Sequence, residues 1–270
     1  MRTPFLRTPQ SNTRRGLTLI ELVVVMVILA ALAGILIPNL TGMTTRAHAS
    51  TSATNAGEIT KAVQTYQVQY LGYPNNLDSL LTNISSGTLA TYMPSGGTDV
   101  TTTTLATADG TLAALTHAGI TSVTQMVEST AGASSGTYAW SATFYPYAAP
   151  LTGSTPLTTT LADGNKLLGL NGLAAAREFG APATAKYVML GVGKYSTLNR
   201  VMQEAPVHFD DDSSGSPAVS YARYLTVFQV TEADGTTGLE KAKLLGVVAL
   251  HDDGVSGVSS HLAEYWAANK

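Results

Sequence analysis

The chain has 270 residues, a formal charge of -3 and no cysteine. Disulfides, thiolate metal sites, iron–sulfur clusters and thiol nucleophiles are excluded together. Only 12% of the residues are charged, against roughly a quarter in ordinary globular domains, so Thr, Ser, Asn and Gln must supply most of the surface polarity. The length suits one domain or two modest ones, and a slightly acidic chain without a basic cluster argues against binding to nucleic acid.

Residues 1–16 hold Arg2, Arg7, Arg14 and Arg15 and no acid. They are followed by the apolar run Leu17–Ile37, which as a helix would be about 31 Å long, close to the hydrocarbon thickness of a bilayer. Arginines before the run and only Arg46 soon after it orient such a helix with its N-terminus in the cytoplasm. The remainder would then be exported. A signal peptide, a plain membrane anchor and a helix made for assembly with copies of itself all fit this layout. Glu21 separates them, because an ionised carboxylate within an apolar span costs about 2.5 kcal/mol or more unless a partner compensates it.

The string Arg14-Arg15-Gly16-Leu17-Thr18-Leu19-Ile20-Glu21 resembles the cleavage and methylation site of type IV prepilins and type II secretion pseudopilins. The resemblance implies that prepilin peptidase cuts the Gly16–Leu17 bond and methylates the new amine of Leu17. It matches Glu21 to the family's acidic residue and Pro38 to a proline common at the end of the membrane part of the helix. Leu17 in place of the commoner Phe, and the length of the leader, are departures. Cleavage creates a cation, and that amine placed against a neighbouring copy's Glu21 would satisfy both charges and fix the stagger between subunits. A rival is a twin-arginine export signal, since Thr13-Arg14-Arg15 precedes apolar residues and Ala31-Leu32-Ala33 would suit a signal peptidase. Glu21 would then sit inside its apolar core, and the run continues past Ala33 to Ile37.

Beyond Pro38 the pattern becomes amphipathic: Ala56, Ile59, Val63, Tyr66 and Tyr70 recur at helical spacing and predict that the helix continues to about Leu71. Pro38 and Gly42 mark a place for a kink or a melted stretch. Gly72-Tyr73-Pro74 stops the helix, and the Tyr-Pro followed by spaced leucines resembles the segment after the long helix of major pseudopilins. Strands are expected at 185–192, 221–231 and 243–251, with a further one at 138–147. The Thr-rich stretches 101–104 and 151–160 suit loop or edge material of a variable insertion.

Several catalytic and ligand patterns fail on inspection. Gly132-Ala133-Ser134-Ser135-Gly136 matches the nucleophile elbow in letters, but a strand rather than a helix should follow it. Gly191-Val192-Gly193-Lys194 lacks the phosphate-loop spacing, with Tyr195 where Ser or Thr is needed. Asp210, Asp211 and Asp212 after His208, and Asp252 and Asp253 after His251, are oxygen-rich loops open to calcium or to a solvated turn. No catalytic, cofactor or metal residue is assigned.

The sequence therefore divides into a leader (1–16), a transmembrane and assembly helix (17–37), its amphipathic continuation (38–71) and an exported head (72–270). The expected fold is α+β and pilin-like, with the long helix packed on a small antiparallel sheet of three or four strands. The resemblance implies a non-enzymatic subunit of a type IV-like filament, in a secretion system or a pilus. Its partners would be prepilin peptidase, the lipid bilayer, an inner-membrane platform with its ATPase, and copies of itself or other pilin-like subunits. An exported enzyme or binding protein tethered by an uncleaved helix is the alternative of another class.

Overall fold

The computed structural model describes residues 18–90, 93–125, 158–203, 206–208 and 221–267, with 35–41 described as helical backbone only. The chain forms two compact units, 1–44 and 45–270. Helix α1 runs from Leu19 to Tyr70, matching the stop expected from the breakers after it.

In the second unit α1 buries Ala49, Ser52, Ala53, Ala56, Ile59, Val63 and Tyr66, a stripe along one face of the helix. Its small residues come first and its large ones last. Ile59, Val63 and Tyr66 join one core with Leu77, Leu80, Tyr187, Val227 and Phe228. The opposite face stays polar, where Lys61 and Glu58 pair at 2.6 Å. That exposed pair adds little to stability.

The main sheet has seven strands in the order β11-β10-β9-β8-β1-β5-β6. These are β1 (Leu77–Asp78), β5 (Ser122–Thr124), β6 (Thr158–Thr160), β8 (Tyr187–Gly191), β9 (Leu225–Thr231), β10 (Gly238–Leu250) and β11 (Val255–Ser256). Strands β8, β9 and β10 cover the three later segments expected from sequence. Tyr187 pairs with Gln229 and Gly191 with Leu225, while β10 returns beside β9 with two register irregularities. Two smaller sheets pair β2 (Leu81–Asn83) with β3 (Thr88–Leu89), and β4 (Val100–Thr104) with β7 (Lys166–Leu170). The Thr-rich β4 is thus a paired strand, in register from Val100↔Leu170 to Thr104↔Lys166. The expected strand at 138–147 lies outside the described residues.

One expectation needs correcting. The sheet is neither small nor wholly antiparallel, because β1 pairs parallel with β5. Parallel neighbours require a crossover, supplied by the chain between them, which includes helix α2 (Thr111–His117). The string Leu77-Asp78-Ser79-Leu80-Leu81 is therefore no simple turn: it carries the two-residue strand at which the parallel and antiparallel parts of the sheet join.

Asp78 in that strand is fully buried. Its Oδ2 accepts from the Tyr221 hydroxyl at 3.0 Å, and its Oδ1 has no hydrogen-bond partner among the described residues. The backbone of Gly193 lies so close that a Cβ there would fall about 2.0 Å from Oδ2, so this position requires glycine for space. Burial pushes the Asp78 carboxyl up to about 7, against the opposing pulls of the Tyr221 hydrogen bond and the Arg223 charge. A raised carboxyl means that the folded state holds the proton more tightly than the unfolded chain. Its contribution is complete below the unfolded value near 4, declines as pH rises, and is lost above about 7.

Helices α3 (Gly172–Phe179) and α4 (Val258–Ala267) are tied by Glu178 of α3, beside which stands Arg177. Its Nη2 lies 2.7 Å from Asp99 Oδ2 and its Nε 2.8 Å from the buried Glu178 Oε1. Glu178 also accepts from Ser260 Oγ at 2.6 Å and Gly257 N–H at 2.9 Å. Burial works against the Asp99 charge, but the guanidinium and the Val255 N–H outweigh it and hold that carboxyl below its ordinary range.

Asp78→Asn is expected to flatten the fall in stability between pH 5 and pH 8, a change of up to roughly 3 kcal/mol in the native chain. Urea melts of both chains across that range check it; equal slopes would show that Asp78 is not the titrating group. Arg177→Ala takes the cation from the buried Glu178 carboxylate, which keeps its Ser260 and Gly257 donors, and is expected to cost about 1–2 kcal/mol because Arg177 is half-exposed, read from the shift in urea midpoint at pH 7.

Candidate functional site

The sequence places the assembly chemistry at the start of α1. Gly16 and Leu17 lie outside the described residues. From Thr18 onward the geometry is defined: Thr18 stands immediately before the helix, and its N–H and hydroxyl both donate to Glu21 Oε2 at 2.8 Å. The Glu21 N–H donates back to Thr18 Oγ1 at 3.3 Å. This is a reciprocal capping box, in which two amides that a helix start leaves unpaired find side-chain acceptors. The carboxylate also lies at the positive end of the helix dipole. Glu21 therefore has a local task in the single chain, one announced by Thr18-x-x-Glu21 and missed beside the cost of its charge.

The next turns are apolar on every side. Leu19, Ile20, Leu22, Val23, Val24, Val25, Met26, Val27, Ile28, Leu29 and Leu32 are all exposed, Leu19 by 82%. A helix that is hydrophobic all round is stable only when lipid or other helices cover it. Among the described residues no helix is long and apolar enough to cross a membrane. Within the apolar run of the sequence, described side chains end at Gly34, short of the roughly 20 residues a span requires. The helix assignment passes without a break through Pro38 and Gly42.

In the head, the fold brings together His208 and His251, the two histidines beside the acidic strings, and adds His261 from α4. The His208 ring lies 4.7 Å from His251 and 5.4 Å from His261 between centroids. His208 Nδ1 is 3.0 Å from Ser52 Oγ, so this cluster holds the early part of the buried α1 stripe to the sheet. No sequence signal joins four residues so far apart. Asp252 is engaged at a turn, accepting from Ser95 N–H at 3.0 Å, while Asp210, Asp211 and Asp212 lie outside the described residues, as does the 132–136 elbow string. Among the described residues no group of three or more His, Asp or Glu side chains is arranged to hold a metal ion. Gly191 ends β8 and Gly193 packs on Asp78, which gives both glycines structural reasons.

Residues 11–37 match the model of the prokaryotic N-terminal methylation motif. The chain thus carries the signature of type IV prepilins and pseudopilins at its N-terminus. No curated protein and no solved structure matches the chain.

Glu21→Gln retains a carboxamide oxygen for the Thr18 cap but removes the charge; Glu21→Ala removes both. If the charge directs assembly, both variants should be processed normally and both should lose filaments. Thr18→Ala, which weakens only the cap by about 1 kcal/mol, should retain them. Filament yield from sheared cells, beside immunoblots of the processed chain, reads the three variants; abundant filaments from Glu21→Gln would assign Glu21 to capping alone.

Proposed function

We propose that this chain is a non-enzymatic structural subunit of a type IV-like filament with a pilin-like fold. It is inserted in the inner membrane through 17–37 with the head outside the cytoplasm, cut before Leu17, methylated there, and drawn into a helical polymer by a separate platform and its ATPase. The observation that carries the reading is the methylation motif joined to a helix whose apolar side chains are exposed on all faces. Lipid covers those side chains before assembly, and neighbouring helices cover them after it. Because lipid already satisfies apolar surface, packing and the pairing of Glu21 with a neighbour's Leu17 amine must supply the selectivity.

Within this class we favour a pseudopilin of a type II secretion system over a pilus subunit serving adhesion, motility or DNA uptake. The absence of cysteine supports that choice, since many type IV pilins close their C-terminal region with a disulfide, as does the Tyr73-Pro74 segment after α1. Disruption of the chain is expected to block protein secretion and leave twitching and adhesion intact; the reverse pattern would assign it to a pilus.

Mass spectrometry of the mature chain from membranes is expected to show N-methylated Leu17 at the terminus. An intact leader, or a start after Ala33, would instead support a tethered or secreted protein of another class.

A further inference from the structure

The second unit carries two exposed apolar patches at opposite ends of one axis. Strand β10 runs back along α1: Lys241 Nζ lies 3.5 Å from the Leu71 carbonyl, and the Leu244 N–H donates to the Tyr73 hydroxyl at 3.2 Å. At the strand's far end His251 packs on His208, which reaches Ser52. The Ser52 and Leu71 ends are therefore about 28 Å apart along the helix.

At the Leu71 end, Val68 in the last turn of α1 and Leu71 just past its end are both exposed, Leu71 by 84%. Leu71 also has φ +60, a left-handed conformation that helix ends ordinarily assign to glycine or asparagine. An apolar side chain is thus displayed to solvent at a position where its backbone is disfavoured. Two cations flank it: Lys241, and Arg200, whose guanidinium lies 5.6 Å from the Tyr70 ring. Glu240, next to Lys241 in the strand, is exposed as well, so the flank keeps a net positive charge.

At the Ser52 end, α4 is seated through His261 and exposes Leu262 and, by 66%, Trp266. Asp252 and Asp253 in the turn before α4 are exposed, and Glu264 lies on the helix; among described residues 250–267 there is no Lys or Arg. One patch thus has an excess of base at its rim and the other an excess of acid.

Building on the filament reading, we infer that the occupant of each patch is a second copy of this chain: the α4 patch of one head seats on the Val68–Leu71 patch of the next. Two different surfaces at opposite ends make a head-to-tail contact, which repeats without closing. The acidic turn then faces Lys241 and Arg200, and Trp266 is the anchor. Patches this small fall below the roughly 1,000 Å² needed for a stable solution dimer, so the contact forms only where α1 already holds the heads side by side.

The absence of native cysteine makes disulfide trapping unambiguous. In full-length chains assembled in cells, the pairs Leu71→Cys with Leu262→Cys and Val68→Cys with Trp266→Cys are oxidised and run on non-reducing gels. A ladder of multiples in at least one pair, absent from all four single variants, is expected. Trp266→Ala, at an exposed position, should leave head melting unchanged and lower filament yield at least about fivefold. Filaments visible by electron microscopy with no ladder in either pair would overturn this contact and leave the filament reading intact. Dimers from Leu262→Cys or Trp266→Cys alone would overturn it in favour of a symmetric contact between α4 helices. A chain lacking mature Leu17 and never forming filaments would remove the filament reading and this inference with it.

Discussion

An acid at the head of an apolar helix must be compensated, and that constraint organises the N-terminal unit. In the single chain, Thr18 and the helix amides hold Glu21 through the capping box, leaving the carboxylate formed and oriented before any neighbour arrives. A cap of this kind would keep the helix start intact in the proposed membrane-bound state. It leaves the net charge uncancelled, and only a cation can cancel it. Cleavage before Leu17 would generate that cation four residues away, on every copy. On the proposed reading, the same processing event would supply the group that Glu21 lacks and make the favoured stagger a matter of charge.

The second unit depends on different contacts. With few charges in the head, its fixed points are small polar clusters: Asp78 with Tyr221 at the junction of the sheet, Arg177 between Asp99 and Glu178, and Ser52 with His208. The last of these joins α1 to the sheet, while Glu178 ties α4 to α3. Apolar packing from Ile59 to Phe228 provides the cohesion, and the polar clusters select one arrangement of the elements.

The legible parts of this architecture were those with local causes. The end of α1 follows from Gly72 and Pro74, the buried stripe from the spacing of Ala56, Ile59, Val63 and Tyr66, and β8 to β10 from long β-branched and apolar runs bounded by turn residues. The motif around Gly16 and Glu21 was equally plain, because processing requires specific residues at specific spacing. The parallel β1–β5 pair was not legible: β1 is two residues long, and its partner is set by a crossover across more than forty residues. Asp78 hides in the same short strand, and nothing in its neighbours along the chain tells that it will be buried beside Tyr221 and Arg223. His261 likewise acquires its neighbours only when α4 folds back.

The central claim is a bond between copies, and zero-length coupling tests it most directly. A lipid-soluble carbodiimide joins an amine to a carboxylate only when they touch, and Leu17 and Glu21 of one chain are also close, so filaments should be grown from mixed light and heavy nitrogen-labelled subunits. The account predicts Leu17–Glu21 linked peptides of mixed isotope in the assembled filament. Linked peptides of a single isotope only would place the pair within one chain and contradict it.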